Sequence, residues 1–374
     1  MPKVIDLFAG VGGLSLGAAR AGFDVVAAVE LDKQAIETHS TNFPKTVHIQ
    51  ENIAELSGKT LLDKADLVDG KLAGLIGGPP CQGFSSIGKR HVNDVRNDLF
   101  VHFFRLIAET NPAFFVAENV MGILDPIYKN IREKAFSQLS DTYTRLDPII
   151  VKANEYGVPT IRKRVFFIGY DHRRFRTDLT VDLFAPDPNE NVIYVEHALL
   201  GLPADIDPNW QKAEQGWRKI HNERMFHDSF FGRIADSIPK NVGNLHLIER
   251  YIEKGEVSGC LGTKHIPEVV ARFASLNYGQ QDPISKAVKL NPQGFCPTLR
   301  AGTGREKGSF QAVRPVHFDK PRVITPREAA RLQGFPDWFV FHPTKWHSFR
   351  QIGNSVSPIA AEKILQILFD SLRN

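Results

Sequence analysis

Short apolar runs alternate with amphipathic segments through the first part of the chain. Residues 3–8, 24–29 and 72–76 are mostly apolar over the length of a buried strand, and glycines follow the first and third runs. Between the first two runs, residues 10–22 form a glycine-rich turn that leads into a helical segment. This order predicts a βαβ opening, the unit from which parallel sheets are built.

The alternation continues to about residue 170 and returns near the end of the chain. The pattern predicts an amphipathic helix from near Asp98, a strand over 112–116 and a strand-turn-strand over 149–170. Much later, Thr325-Pro326-Arg327-Glu328 is a capping box with proline at the first helical position. A last helix over 357–372 is expected to rejoin the first domain.

Between these two parts the composition changes. From Phe184 to Trp210 proline, aspartate and asparagine become frequent, and residues 182 to about 320 lack the strand-helix alternation. We therefore predict a first domain over 1–181, a second over 182–320 and a return to the first over 321–374.

Composition places the chain among ordinary globular proteins. Its 374 residues are 42% hydrophobic and 24% charged, which is enough to build two domains. The formal net charge of +4 is too small to indicate a polyanionic partner. Between residues 151 and 180, however, seven lysines and arginines stand against three acidic residues. Such a cluster suits a phosphate-facing surface, although a solvated face is the ordinary alternative.

The cysteines indicate a reducing compartment. Cys81, Cys260 and Cys296 are few and widely spaced and include no C-x-x-C pair, so neither a disulfide nor a zinc site is expected. No signal-like segment and no apolar run of about 18 residues occurs, and a soluble, intracellular protein is expected.

The first candidate for chemistry is Cys81. It follows the apolar run 72–76 through Gly77-Gly78-Pro79-Pro80, which ends the strand. In an open α/β sheet ligands bind beyond the carboxyl ends of the strands, so a thiol there is placed to act as a nucleophile. The alternative is a small buried hydrophobe, the commoner fate of a free cysteine.

The second candidate is a nucleotide-type site in the βαβ opening. Glu30 lies about 20 residues past Gly10, the spacing at which an acidic side chain reaches ribose hydroxyls. The glycines Gly10, Gly12, Gly13 and Gly17 depart from a strict G-x-G-x-x-G, which favours S-adenosylmethionine over a nicotinamide cofactor. Alternatively, the glycines serve only close packing of the helix.

Together these blocks resemble a known family. Asp6-Leu7-Phe8-Ala9-Gly10-Val11-Gly12-Gly13, Pro80-Cys81 and Glu118-Asn119-Val120 are similar to the DNA (cytosine-5) methyltransferases, and further blocks match in the same order from residue 3 to residue 360. The resemblance implies a Rossmann-like α/β fold with a mostly parallel sheet and a smaller target-recognition domain. It also implies S-adenosyl-L-methionine as cofactor, duplex DNA as partner, no metal, a monomer, and a cytoplasmic, nucleoid-associated enzyme of the bacterial modification type.

The resemblance implies catalytic roles for four residues. Cys81 is expected to attack C6 of a flipped-out cytosine, and Glu118 to interact with ring N3. Helix capping is the ordinary alternative for Glu118. Arg162 and Arg164 match the family's Gln-x-Arg-x-Arg, in which Thr160 replaces the glutamine, and Arg164 is expected to hold the pyrimidine oxygen.

The resemblance also assigns cofactor and DNA contacts. Leu31 stands where an aromatic residue is common, and Asn52 where the family has aspartate. The expected cofactor contacts are Phe8, Ala9, Gly10, Gly12, Gly13, Leu14, Glu30, Leu31, Asn52, Ile53, Pro80, Leu99, Asn354, Ser355 and Val356. The expected DNA contacts are Gln82, Ser85, Ser86, Ile87, Lys89, Arg90, Thr298, Leu299, Arg300 and Arg305, with a surface loop as the alternative for both arginines near 300.

Three other functions remain open at this point. An RNA (tRNA) cytosine-5 methyltransferase shares the motifs, although the long 182–320 region favours DNA. A catalytically silent nucleic-acid-binding module would not need Cys81, Glu118 and Arg164 together. A dehydrogenase accounts for residues 10–30 and nothing else.

Overall fold

An eight-stranded sheet forms the centre of the described structure. The computed structural model describes residues 1–68, 70–80, 98–208, 216–220, 229–236, 238–301 and 314–373. The strand order is β3-β2-β1-β4-β5-β8-β6, and β7 pairs with β8. These strands are β1 (Lys3–Leu7), β2 (Asp24–Val29), β3 (Val47–Ile49), β4 (Leu72–Gly77), β5 (Phe114–Asn119), β6 (Tyr143–Arg145), β7 (Ile149–Lys152) and β8 (Lys163–Asp171).

The parallel direction of five strands places their carboxyl ends at one edge of the sheet. Strands β1 to β5 are parallel, so their carboxyl ends lie together, and β4 and β5 are buried throughout. Strand β8 runs antiparallel to β5, which brings its amino end to the same edge. Residues from both halves of the first domain therefore meet there.

Helices cover both faces of the sheet. The first domain carries α1 (Gly13–Arg20), α2 (Lys33–Asn42), α3 (Gly58–Lys64), α4 (Asp98–Thr110) and α5 (Lys129–Phe136). The middle region carries α6 (Val195–Leu199), α7 (Ser229–Phe231), α8 (Leu245–Lys254), α9 (Pro267–Ser275) and a two-stranded sheet of β9 (Arg218–Lys219) and β10 (Glu256–Val257). The chain ends with α10 (Pro326–Leu332), α11 (Lys345–Asn354) and α12 (Pro358–Ser371). None of the helices described is long and apolar enough to cross a bilayer.

Glycines let the first and last helices touch. A Cβ on Gly13 would lie 2.3 Å from the Val356 carbonyl oxygen, and one on Gly17 would lie 2.5 Å from the Ala361 Cβ and 2.8 Å from the Glu362 amide nitrogen. Only glycine permits so close an approach of α1 to α12. Close packing, the alternative role considered for these glycines, is thus part of what Gly13 and Gly17 do.

Helix α10 fastens the middle region to the first domain. The buried Arg327 donates hydrogen bonds to the carbonyl oxygens of Ser258 (2.8 Å) and Phe339 (2.7 Å). Arg331 forms a two-pronged ion pair with Asp337 at 2.8 and 2.6 Å, and the capping box predicted at Thr325 is present. The bond to Ser258 joins residues 69 positions apart in sequence, so it ties α10 to the middle region.

The predicted elements are found with small shifts, and the predicted fold class is confirmed. One shift matters: β5 extends to Asn119, so Glu118 belongs to the strand and does not cap a helix. The division into domains at residues 182 and 320 stays a prediction.

The basic cluster between residues 151 and 180 does not form one surface, contrary to expectation. Arg164 lies at the carboxyl edge of the sheet, whereas Arg173 pairs with Asp171 at the other end of the nine-residue β8. Nearby, Arg174 donates to the carbonyl oxygens of Asn111 and Leu72. The strand separates the two groups by roughly 25 Å.

We predict that Gly17→Ala destabilises the protein by about 1–3 kcal/mol, because a backbone clash with α12 exceeds the gain in helix propensity of about 0.5–1 kcal/mol. Urea denaturation measures the change. Gly232→Ala is the matched control, since its Cβ would meet no atom within 4 Å. A Gly17→Ala protein as stable as wild type would contradict the proposed contact.

Candidate active site

A single cavity of about 730 Å³ opens at the carboxyl edge of the sheet. Its volume is within the range of about 300–1,000 Å³ that is usual for small-molecule sites. Residues from the ends of β1, β2, β4 and β5, from the start of β8 and from the end of α11 line it. All of the expected cofactor contacts line the cavity apart from Gly12.

The β1–α1 turn forms the floor of the cavity through unusual backbone angles. Phe8 has φ of 57°, which a residue with a side chain rarely adopts, and Gly10 and Gly12 have φ of 56° and 99°. An added Cβ on Gly12 would meet the Phe43 ring at 2.4 Å, so this glycine faces α2 and not the cavity. The turn presents main-chain atoms to whatever the cavity holds.

Glu30 lies at the end of β2 and closes one wall. Its carboxylate accepts hydrogen bonds from the backbone amides of Gly10 (2.9 Å) and Asp32 (2.8 Å), which fixes the side chain beside the turn. Burial raises the pKa of Glu30, and the hydrogen bond from the Asp32 amide opposes that rise. Each oxygen keeps a lone pair for a further donor such as a ribose hydroxyl.

The next wall is apolar and exposed within the cavity. Leu31 is 62% exposed, which is unusual for leucine, and buried Ile53 lies nearby along the lining. Asn52 accepts a hydrogen bond from the Ala54 amide at 3.1 Å and donates to Glu55 at 3.2 Å. The Asn52 side chain is therefore held in a turn, with one oxygen lone pair left for a ligand.

Sequence reasoning missed the contribution of α2, and of the part of α11 before Asn354, to this cavity. Gln34, His347 and Arg350 line it, and Arg350 forms an ion pair with Asp32 at 2.8 Å between Nη1 and Oδ2. Asp32 also caps α2 by accepting from the Ala35 amide at 3.0 Å. Only the capping role of Asp32 leaves a signal in the sequence, because α2 and α11 meet through the fold alone.

At the other end of the cavity Glu118 faces Arg164. Glu118 is 8% exposed, and its Oε1 lies 2.8 Å from Nε of Arg164. The arginine hydrogen does not point at that oxygen, and among the described residues no aligned donor reaches Oε1. An ion pair thus holds the carboxyl group in place at this end of the cavity lining. Gly78 fits here because a Cβ would lie 3.2 Å from Oε2.

Arg162 lines the same cavity but binds main-chain oxygens. It is 3% exposed and donates hydrogen bonds to the carbonyls of Leu299 (3.3 Å), Gly353 (2.8 Å) and Asn354 (3.4 Å). Burial lowers the pKa of Arg162 well below its usual value, with a smaller effect of Arg164 in the same direction. A catalytic role for Arg162 stays a prediction.

Several predicted residues lie outside the described part of the chain. They are Cys81, Gln82, Ser85, Ser86, Ile87, Lys89, Arg90 and Arg305. Pro80, just before the undescribed segment 81–97, and Leu99, two residues after it, both line the cavity. Of the other expected DNA contacts, Leu299 is buried, Thr298 is half-buried and Arg300 is exposed.

A family model for C-5 cytosine-specific DNA methylase matches residues 2–370. The chain belongs to this family. The predicted family and enzyme class, a DNA (cytosine-5) methyltransferase, are thereby confirmed, and the family implies dependence on S-adenosylmethionine. The dehydrogenase alternative is not supported.

Similar proteins cover this methyltransferase almost end to end. It is 37% identical to the Type II methyltransferase M.XorII of Xanthomonas oryzae pv. oryzae, over 100% of the chain and 85% of that protein. It is 32% identical to the Type II methyltransferase M.DdeI of Desulfomicrobium norvegicum, over 97% and 88%. Among solved structures, an E. coli prophage protein assigned as a DNA modification methyltransferase shares 50% identity, with a TM-score of 0.89 over 99% of both chains. Dnmt2 of S. pombe, at 16% identity and a TM-score of 0.63, shares the fold.

Beneath the β1–α1 turn of this methyltransferase lies a buried hydrogen-bonded chain. Ser15 donates to Asp6 at 2.6 Å, so its oxygen accepts from Nε2 of His39 at 3.0 Å. The His39 Nδ1 then accepts from Nε2 of His48 at 2.9 Å. Burial raises the pKa of Asp6 to about 7, and it lowers the pKa of His39 well below its usual value. The chain supports the turn from below.

No cluster of His, Cys, Asp and Glu suited to a metal occurs among the described residues.

We predict that Asp6→Asn stabilises the protein increasingly as pH rises. In wild type the folded state holds the Asp6 proton more tightly, so its contribution is greatest below about 3.8 and is lost as pH rises through about 7. Each pKa unit is worth about 1.4 kcal/mol, which gives an upper bound of about 4 kcal/mol.

Urea denaturation at about pH 5 and about pH 8 tests this prediction. Asp63→Asn, which changes an exposed carboxyl group on α3, is the control and should leave the pH dependence of the unfolding free energy as in wild type. A parallel pH dependence in Asp6→Asn and wild type would contradict the assignment.

Proposed function

We propose that this methyltransferase transfers a methyl group from S-adenosylmethionine to C5 of a cytosine flipped out of a specific duplex DNA sequence. One observation carries the proposal. The same cavity joins the ribose-type site at Glu30 and Leu31 to the Glu118–Arg164 pair, and it reaches Pro80, the neighbour of Cys81. Donor and acceptor sites within one cavity are what direct group transfer requires.

The cavity residues fit the cofactor. The exposed Leu31 side chain offers an apolar face for adenine, Glu30 offers carboxylate lone pairs for the ribose, and the β1–α1 turn offers main-chain atoms for the methionine end. Asn354, Ser355 and Val356 complete the wall from the end of α11. When bound, the cofactor supplies an electrophilic methyl group on a sulfonium.

Covalent catalysis by Cys81 accounts for the chemistry at the base. Cytosine C5 is a weak nucleophile, and addition of the Cys81 thiolate to C6 makes C5 electron-rich. Glu118 donates a proton to N3 as the C6–S bond forms, and Arg164 holds the pyrimidine oxygen. After C5 accepts the methyl group, water removes the C5 proton. The C6–S bond breaks, the N3 proton returns to Glu118, and the thiolate leaves.

The target base must leave the duplex, because the thiolate approaches the face of the ring. Flipping costs a few kcal/mol, which protein contacts must offset. We assign that role to the residues that follow Cys81 and to the middle region, with Ser86 and Ile87 as the wedge and Arg300 and Arg305 as candidates for reading guanine edges.

The biological setting follows from the relatives. M.XorII and M.DdeI are named Type II methyltransferases, and this chain covers at least 85% of each. We propose that it is likewise the modification enzyme of a restriction-modification system, acting as a monomer on DNA in the bacterial cytoplasm.

Methyl-labelled S-adenosylmethionine tests the function directly. Incubation with mixed-sequence duplex DNA should place label in 5-methyldeoxycytidine, and Cys81→Ala should abolish it. Transfer RNA incubated in parallel should stay unlabelled. Label confined to the RNA would move the enzyme to the RNA-modifying branch, and label in neither substrate would overturn the proposed activity.

We predict that Glu118→Gln lowers kcat by about 10²–10⁴-fold, because glutamine keeps the shape but cannot deliver a proton to N3. Affinity for the duplex should change by less than about threefold, since the change leaves the surface charge toward DNA almost unaltered. Steady-state kinetics and gel-shift titration measure the two quantities. Glu133→Gln, which changes an exposed carboxylate on α5 outside the cavity lining, is the control. An unchanged kcat in Glu118→Gln would remove Glu118 from the mechanism.

A further inference from the structure

Arg162 lies between two segments that are distant in sequence. On one side are residues 353–356, which form the last wall of the proposed cofactor site. On the other side are residues 296–301, which lead into the proposed DNA-reading loop. The Arg162 guanidinium donates to Gly353 and Asn354 in the first segment and to Leu299 in the second.

The two segments also touch each other directly. A Cβ on Gly353 would lie 2.7 Å from the Ala301 amide nitrogen and 2.7 Å from the Arg300 carbonyl carbon. Contacts this close move together, because neither backbone can shift without displacing the other. Residues 300 and 301 therefore rest on the loop that lines the cofactor site.

A separate set of bonds fixes the start of the second segment. The backbone amide of Cys296 donates to the Pro159 carbonyl at 2.9 Å, and the Ile161 amide donates to the Cys296 carbonyl at 3.0 Å. The Thr160 hydroxyl donates to that same carbonyl at 3.0 Å. Residue 296 is thus anchored without Arg162, whereas the Leu299 carbonyl is bound by Arg162.

We propose that Arg162 is a positioning residue that couples the cofactor site to the DNA-reading segment. Ordering of residues 353–356 by the cofactor fixes the two carbonyls that orient the guanidinium, and the guanidinium in turn holds Leu299. By linkage, DNA held at 298–301 strengthens cofactor binding by the same factor. The inference rests on the proposed S-adenosylmethionine site.

Hydrogen–deuterium exchange of the full chain, with and without S-adenosylhomocysteine, tests the coupling. In wild type the product should slow exchange at residues 8–14, which line the site, and also at 296–301, by about fivefold or more. Arg162→Lys keeps the charge but replaces the planar guanidinium with a compact ammonium, so it cannot reproduce the bonds that two guanidinium nitrogens make to the two segments. It should retain the slowing at 8–14 and lose it at 296–301.

Thr160→Val is the matched control. It removes the neighbouring hydrogen bond to Cys296 but leaves Arg162 in place, so slowing at both segments should remain as in wild type. Gly353→Ala is an independent variant whose Cβ would push residues 300 and 301 away, and it should lose the slowing at 296–301. This variant also serves if Arg162→Lys fails to fold.

The outcomes separate this inference from the proposed function. Wild-type slowing at 8–14 without any at 296–301 would overturn the coupling and leave the cofactor site intact. Equal slowing at 296–301 in wild type and Arg162→Lys would remove Arg162 from the coupling. No slowing at 8–14 in wild type would overturn the cofactor site, and the coupling with it.

Discussion

Buried arginine side chains of α10 and of the residues before it attach this part of the chain to the middle region. Arg322 pairs with Glu328, Arg331 pairs with Asp337, and Arg327 binds main-chain carbonyls of the middle region and of the segment after α10. Removing one partner of a buried pair costs about 3–5 kcal/mol, since a charge is left without compensation. The position of the middle region relative to the cavity depends on this cluster.

The cavity combines groups that arrive from separate parts of the chain. Parallel strands bring Phe8, Glu30 and Pro80 to one edge, and the reversed β8 brings Arg164 beside Glu118. An α/β sheet of wholly parallel strands would place the start of β8 at the opposite edge. The antiparallel direction of β8 is therefore what places Arg164 beside Glu118 at this end of the cavity.

Sequence reasoning reached the strands, the family and most of the cavity lining, because local patterns encode them. The glycines of the β1–α1 turn are visible in the sequence, and Glu30 follows Gly10 at the spacing typical of a ribose-binding carboxylate. Sequence reasoning could not predict contacts between segments that only the fold brings together. Examples are the Asp32–Arg350 ion pair and the buried chain from Asp6 to His48. Arg162 shows the limit best: its motif predicts a place near the site, whereas its partners are carbonyl oxygens that no pattern reveals.

The atoms that Arg162 binds determine which residues around position 299 can be substituted. Leu299, Gly353 and Asn354 are all held by their carbonyl oxygens, which every residue type possesses. Side chains around residue 299 can then be substituted while Arg162 keeps its hydrogen bonds to the backbone. A segment anchored in this way tolerates substitution of its exposed side chains, such as that of Arg300, without losing its attachment to Gly353 and Asn354.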